Sequence, residues 1–167
     1  RTIPLGMQSL DARVTWGSKV DLARPMSDGP TTRGFDYYFG DDVSNFPPYA
    51  WIENDHLLAL PTRSKRNNRL GYAGPIADGW YGSNVMPELT KRAVRYIDER
   101  THEGKPFFLY LPLNAPHTPI LPSDDFIGTS AAGRYGDFVR EVDWTLGQVM
   151  KALARNDIDR DTILLFT

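Results

Sequence analysis

Two apolar runs of strand length stand out from the rest of the chain. Phe107-Phe108-Leu109-Tyr110-Leu111 and Ile163-Leu164-Leu165-Phe166 contain no polar position that would mark a solvent face. Runs of this kind suit central strands covered on both sides by helices. Two other stretches carry a helical period. The first predicts a helix from Pro87 to the Arg100–Gly104 region. Pro87 is favoured at a first helical position, where an N–H has no partner to lose, and Glu88 suits the positive end of the helix dipole. Leu89, Ala93, Tyr96 and Ile97 fall on one face, and Lys91, Arg92, Arg95, Asp98 and Glu99 take the other. Gly104 is the expected stop. The second helix is predicted from Tyr135 to Asn156, with Phe138, Val139, Val142, Leu146, Val149, Met150 and Leu153 as its buried stripe. Asp143, beside that stripe, is a candidate to hydrogen-bond loop backbone. Leu121 to Arg134 reads as irregular.

The first half of the chain has weaker periodicity. Leu10 to Trp16 reads as a short strand or an extended arm. Asp28-Gly29-Pro30 is a breaker cluster. It precedes a short aromatic strand between Gly34 and Gly40. Tyr49 to Leu60 reads as one or two strands with a turn at Glu53-Asn54-Asp55. Pro61 to Leu70 holds the only basic cluster: Arg63, Lys65, Arg66 and Arg69. Gly71 to Ser83 is glycine-rich, and its Tyr72, Trp80 and Tyr81 are candidates for a rim that stacks on sugar rings. The pattern is therefore α/β within one domain, loop- and strand-rich over 1–86 and helix–strand–helix–strand over 87–167.

Composition narrows the function. The 167 residues are 41% hydrophobic and 24% charged, ordinary for a soluble globular protein. A net charge of −2 suggests neither nucleic acid nor an acidic membrane surface as a partner. No apolar stretch is long enough to span a bilayer. With no cysteine, the chain has no disulfide, no thiolate metal site and no cysteine nucleophile of its own. Histidine occurs three times, at His56, His102 and His117. His56 has no second ligand at useful spacing, and a zinc site needs three or four. His102 belongs to the last turn of a helix, where a cation meets the dipole favourably.

His117 is the candidate that carries chemistry. Pro112 cannot donate to a central ladder, so pairing should end near it. Pro116 and Pro119 then bracket His117 and restrict the backbone on both sides. A loop at the carboxyl end of a parallel strand is where open α/β sheets place ligands. A histidine that merely packs is the alternative.

Three segments, in order, resemble the sulfatase family: Asp28 to Gly40 (Asp-Gly-Pro-Thr-Thr-Arg-Gly-Phe-Asp-Tyr-Tyr-Phe-Gly), Lys105 to Pro119 (Lys-Pro-Phe-Phe-Leu-Tyr, then Ala-Pro-His-Thr-Pro), and the helix–strand pair from Tyr135 to Thr167. Trp16 to Asp21 superficially matches the family's Gly-Lys-Trp-His-Leu-Gly motif, but Asp21 stands where the histidine should be, and Lys19 is read as a surface lysine. The resemblance implies an alkaline-phosphatase-like α/β sandwich with a mixed sheet between helical layers, of which this chain is a middle part. It implies hydrolysis of aryl or glycan sulfate esters by a formylglycine nucleophile with Ca²⁺, and it implies that His117 contacts the sulfate ester. No Cys/Ser-x-Pro-x-Arg motif occurs here, so the nucleophile and the Ca²⁺ ligands are expected outside this chain. Arg33, Arg63 and Arg66 are candidates to hold the substrate anion; the alternatives are a loop salt bridge for Arg33 and solvated surface positions for the other two. A periplasmic or secreted location is expected from the resemblance alone, since Arg1 is not an initiator methionine and no leader is read there. Two rivals are a catalytically inactive sulfatase-like module that binds sulfated glycans through the basic cluster, and a phosphodiesterase of the same superfold.

Overall fold

A computed structural model describes residues 21–167. The Leu10–Trp16 segment and Lys19 lie outside the described residues. The chain divides into two compact units, 1–82 and 83–167.

The first unit is built from short antiparallel pairs. Strands β1 (Phe39–Gly40), β2 (Ile52–Glu53) and β3 (His56–Leu57) form one sheet in that order. Strands β4 (Arg63–Lys65) and β5 (Gly74–Ile76) form a hairpin. The expected turn at Glu53-Asn54-Asp55 is present, because Glu53 pairs with His56 across a two-residue loop. Asn54 takes φ of 57°, a left-handed conformation that asparagine tolerates better than most side chains. It also ties this turn to the neighbouring segment: its N–H donates to the Tyr38 carbonyl at 2.8 Å, and its side-chain oxygen accepts the Tyr38 N–H at 3.1 Å. That bond explains why the aromatic strand expected over Gly34–Gly40 shrinks to Phe39–Gly40. The Tyr38 amide is satisfied by a side chain instead of a ladder.

Met26 and Ile52 form a small core there, with Leu22, Tyr38 and Leu57 packed against it. Tyr49 is fully buried beside Trp80, with ring centroids 5.0 Å apart. Its hydroxyl is shared between the carbonyls of Tyr72 and Asn45, at 2.8 and 2.9 Å. Burial pushes its phenol up to about 12, which keeps it a neutral donor. The Asp41–Pro48 segment, though rich in polar residues and proline, folds partly inward. Asp41's backbone carbonyl accepts the Tyr38 hydroxyl at 2.9 Å, and burial raises its carboxyl above the ordinary value.

The second unit rests on two helices, α1 (Val85–His102) and α2 (Gly133–Arg155). In α1 the expected face is buried at Leu89, Ala93 and Ile97, with Tyr96 at its edge and Thr90 also inside. Gly104 follows the helix with φ of 64° and returns its N–H to the Thr101 carbonyl, the stop anticipated from sequence. Ala93 and Ile97 of α1 meet Val149, Ala152 and Leu153 of α2 to form the core. A buried bond joins the Thr90 and Thr145 hydroxyls at 2.8 Å. Thr90 donates to the Met86 carbonyl, so Thr145 supplies the proton between the two. At the other end, Asp98 accepts from Arg155 and Asn156 at 2.5 and 2.7 Å.

The two apolar runs are extended but do not form the doubly covered strands expected of them. Phe107, Leu109 and Leu111 pack onto the helical core, whereas Phe108 and Tyr110 are 74% and 65% exposed. Ile163 and Leu165 are 89% and 83% exposed. In the first run one face has the helical core for cover, and among the described residues no strand pairs with either run. The stripe expected on α2 is also only half correct: Phe138, Val149 and Leu153 are buried, Val139 and Met150 are exposed, and Asp137, Glu141 and Thr145 are buried instead.

This packing makes two predictions. Ile97→Ala removes a side chain 1% exposed and should cost about 3 kcal/mol in urea unfolding; a loss below about 1 kcal/mol would show that the core closes around the gap. Partial burial alone would raise the Asp98 carboxyl, but hydrogen bonds from Arg155 and Asn156, with the charges of Arg155 and His102, outweigh it and hold it below the usual value of 3.8. A carboxyl held low contributes stability that is complete above its unfolded value and is lost as pH falls through the folded one. Asp98→Asn should thus cost at most about 1 kcal/mol at pH 7, given the half-exposed pair, and the deficit should vanish in acid. A deficit unchanged between pH 7 and pH 3 would refute that linkage.

Candidate active site

His117 sits at the turn after the Phe107–Leu111 segment. Its N–H donates to the Asn114 carbonyl at 3.1 Å, which closes the turn, and its side chain is exposed. Nδ1 lies 2.6 Å from the Thr118 carbonyl. A carbonyl can only accept, so Nδ1 carries a proton and Nε2 is the nitrogen left to meet a ligand. Neutral, Nε2 accepts; in the imidazolium it donates, as contact with an anion requires. The Asn114 side-chain oxygen, in the same turn, is buried with no hydrogen-bond partner among the described residues.

Beyond the loop, the chain is held by an arrangement that the hydrophobic pattern did not indicate. Pro122 and Ser123 are buried, and the chain then passes through a 3₁₀ turn at Asp124–Phe126 to the start of α2. This stretch has few regular backbone bonds, and α2 supplies the acceptors. Glu141, 0% exposed, accepts the Ser123 N–H at 3.0 Å with one carboxylate oxygen and the Ser123 hydroxyl at 2.6 Å with the other. One turn earlier, Asp137, 1% exposed, accepts the N–H groups of Gly128 and Ser130 at 2.9 and 2.8 Å. Gly136 permits the close fit, since a Cβ there would overlap the Ser130 hydroxyl and the Ala132 side chain. Burial pushes the Glu141 carboxyl up, aided by the charge of Asp125 and opposed by both Ser123 bonds. Asp143, the acidic residue singled out for such a role, is exposed. The discoverable signal was the i, i+4, i+8 spacing of Asp137, Glu141 and Thr145, which places three polar side chains on one helical face.

The other candidates lie in the first unit. Arg33 is exposed and ion-paired to Asp28 at 2.8 Å. Arg63, on β4, pairs with Asp78 at 2.6 Å. Lys65 is turned inward: its ammonium reaches the Gly71 carbonyl at 2.9 Å and lies 5.0 Å from the Tyr49 ring centre, and burial lowers its pKa. Arg66 and Arg69 are exposed beyond it, on the loop between β4 and β5. Of the proposed aromatic rim, Tyr72 and Tyr81 are about half exposed, whereas Trp80 is buried at 4%. His56 bonds Asp55 at 2.6 Å, and His102 bonds the Asp98 carbonyl at 2.5 Å. Among the described residues no three histidine, aspartate or glutamate side chains gather as a cation would need. The residues present therefore do not fit a Ca²⁺ site. No helix among them is long and apolar enough to cross a membrane.

The family model described as Sulfatase matches residues 15–167. Mouse N-acetylgalactosamine-6-sulfatase is 33% identical over 140 residues, which are 83% of this chain and 26% of the relative. An N-acetylgalactosamine-6-O-sulfatase of Bacteroides thetaiotaomicron is 32% identical over 123 residues, 69% of this chain and 24% of the relative. The chain spans about a quarter of the length of these curated relatives. Among solved structures, the 6S-sulf protein of a Bacteroides thetaiotaomicron locus for metabolism of multiple glycosaminoglycans superposes with a TM-score of 0.72 at 23% identity, covering 86% of this chain and 38% of that one. That likeness shows the fold: α/β, alkaline-phosphatase-like.

The Asp137 geometry yields a prediction. Asp137→Ala would leave two backbone N–H groups without their acceptor and should destabilise the protein by about 3 kcal/mol, with Asp137→Asn intermediate because one acceptor oxygen remains. Urea unfolding of both variants checks the order; equal stability of the Ala variant and the parent would refute the clamp.

Proposed function

The chain belongs to the sulfatase family, and from that premise we propose that the protein carrying it hydrolyses sulfate esters, with His117 contacting the ester. The observation that supports this most is the state of the His117 ring: Nδ1 is committed to a carbonyl, and Nε2 is left to the solvent side of a proline-braced turn. A protonated Nε2 donates to a sulfate oxygen or to the leaving oxygen, where charge develops during cleavage. We take the substrate to be a sulfated sugar, in keeping with relatives named for N-acetylgalactosamine 6-sulfate. Arg66, and Arg63 when released from Asp78, would meet further anionic groups of such a glycan. The formylglycine nucleophile and the Ca²⁺ of the family's mechanism would be supplied by residues other than these 167, since the chain has no Cys/Ser-x-Pro-x-Arg motif and no converging carboxylates among the described residues. On the same family reading, we place the protein in the periplasm or outside the cell.

A non-catalytic reading keeps one observation in its favour: Arg66 and Arg69 are exposed and have no ion-pair partner among the described residues. The phosphodiesterase reading has less, because no three metal-ligating side chains gather among the described residues.

In the full-length protein, His117→Ala should lower kcat/KM on a 6-sulfated N-acetylgalactosamine substrate by about 10²- to 10³-fold, with the fold retained by circular dichroism. Near-normal turnover in that variant would sink the assignment. A parent that cleaves no sulfate ester, yet binds a heparin column in a manner lost on Arg66→Ala and Arg69→Ala, would establish the binding module instead.

A further inference from the structure

We propose that Glu141 is a positioning residue for His117: through its two hydrogen bonds to Ser123 it fixes the Pro119–Ser123 segment, and with it the direction in which the loop presents the imidazole. The proposal rests on the sulfatase reading for its catalytic consequence but not for its geometry. The loop is held at both ends. On one side, Leu111 packs on the helical core. On the other, Pro122 is fully buried and Ser123 is bonded by both its N–H and its hydroxyl. Between His117 and Ser123 lie Thr118, Pro119, Ile120, Leu121 and Pro122, so two of the intervening φ angles are fixed by proline rings. The prolines and the two anchored ends reduce the slack in which a shift at Ser123 could be absorbed before it reaches the imidazole.

The geometry favours a carboxylate. Ser123 offers two donors to one side chain, and the two oxygens of Glu141 accept one each. A glutamine could keep its oxygen on the Ser123 N–H and give its N–H₂ to the Ser123 hydroxyl oxygen. The second bond would then reverse direction, lose its charge assistance and lengthen from 2.6 Å, which shifts Ser123. An aliphatic residue would leave both donors buried without an acceptor. The anchor also stands on a rigid base, because α2 is itself fastened to α1 through Thr90 and Thr145, one turn beyond Glu141.

The test uses the full-length protein labelled with ¹⁵N-histidine. His117 ring signals are assigned by loss in His117→Gln. Glu141→Gln, and the milder Ser123→Ala, should shift or broaden the His117 ring signals while those of His102 stay in place. They should lower kcat/KM by about 10- to 100-fold, mostly in kcat, as expected when a reacting group is misplaced by about 1 Å. Asp137→Asn is the control for general loosening: it should lower Tm yet leave the His117 signals and kcat/KM within about twofold. Unmoved His117 signals in folded Glu141→Gln or Ser123→Ala would overturn the proposal. So would Asp137→Asn moving them as far as Glu141→Gln does. If the signals move but neither these variants nor His117→Ala changes turnover, the anchor stands and the sulfate-contact reading falls.

Discussion

A backbone N–H that is buried must find an acceptor, and a segment without helix or ladder cannot provide its own. Apart from the 3₁₀ turn at Asp124–Phe126, residues 120–132 are such a segment, buried at Ser123 and partly covered at Ser130, and the structure after His117 depends on how that demand is met. Helix α2 meets it with carboxylates. Glu141 and Asp137 together accept four hydrogen bonds from Ser123, Gly128 and Ser130. Ionised acceptors make shorter and stronger bonds than neutral ones, and low local polarity strengthens them further. The same burial disfavours the charge, which is why the Glu141 carboxyl is pushed up. The helix is thus divided along its length: its C-terminal half carries Val149, Ala152 and Leu153 into an apolar core, and its N-terminal half carries polar acceptors under a loop.

That division explains what the sequence revealed and what it hid. Helix α1 was legible because Pro87 and Glu88 fall in its first turn, Gly104 lies just past its end and an apolar face repeats between them, although the helix starts at Val85, two residues before the expected Pro87. The β2–β3 turn was legible from Asn54 and Asp55. The loop around His117 was legible because three prolines and a histidine come after an apolar run. The clamp beneath it was not. A charged residue at a helical position reads by default as solvent-facing, and Val139 and Val142 beside it suggested an apolar face. The structure reverses the assignment: Val139 is 41% exposed and Glu141 is fully buried. Burial here arises from the donors on the opposing loop, and those donors belong to a stretch with no periodic signal.

The apolar runs at Phe107–Leu111 and Ile163–Phe166 show a related limit. Hydrophobic pattern states what a segment requires on each face. It does not state which partner supplies it. For the first run, the helical core covers Phe107, Leu109 and Leu111 and leaves Phe108 and Tyr110 exposed, so half the requirement is met within the unit. The alternation is what an extended segment gives when one side is packed. The expectation of cover on both faces was sound as a statement about composition and exceeded what the described residues provide.

Buried carboxylates also carry an argument about purpose. An apolar pair at positions 123 and 141 would remove the buried charge and the hydroxyl donor, but it would leave the backbone N–H of residue 123 buried without an acceptor. The backbone N–H accounts for one acceptor oxygen at 0% exposure; the second bond, from the Ser123 hydroxyl, is the one that satisfying the backbone does not require. A two-pronged bond differs from apolar packing in one respect: it is satisfied in a single register. Apolar side chains can slide by a fraction of an ångström at little cost, whereas a carboxylate bonded at 2.6 and 3.0 Å to one serine cannot. Where a loop has only to stay closed, grease suffices. Where it has to hold an imidazole in one orientation, with Nδ1 committed to Thr118 and Nε2 turned outward, register is the property that matters, and the buried Glu141–Ser123 pair supplies it.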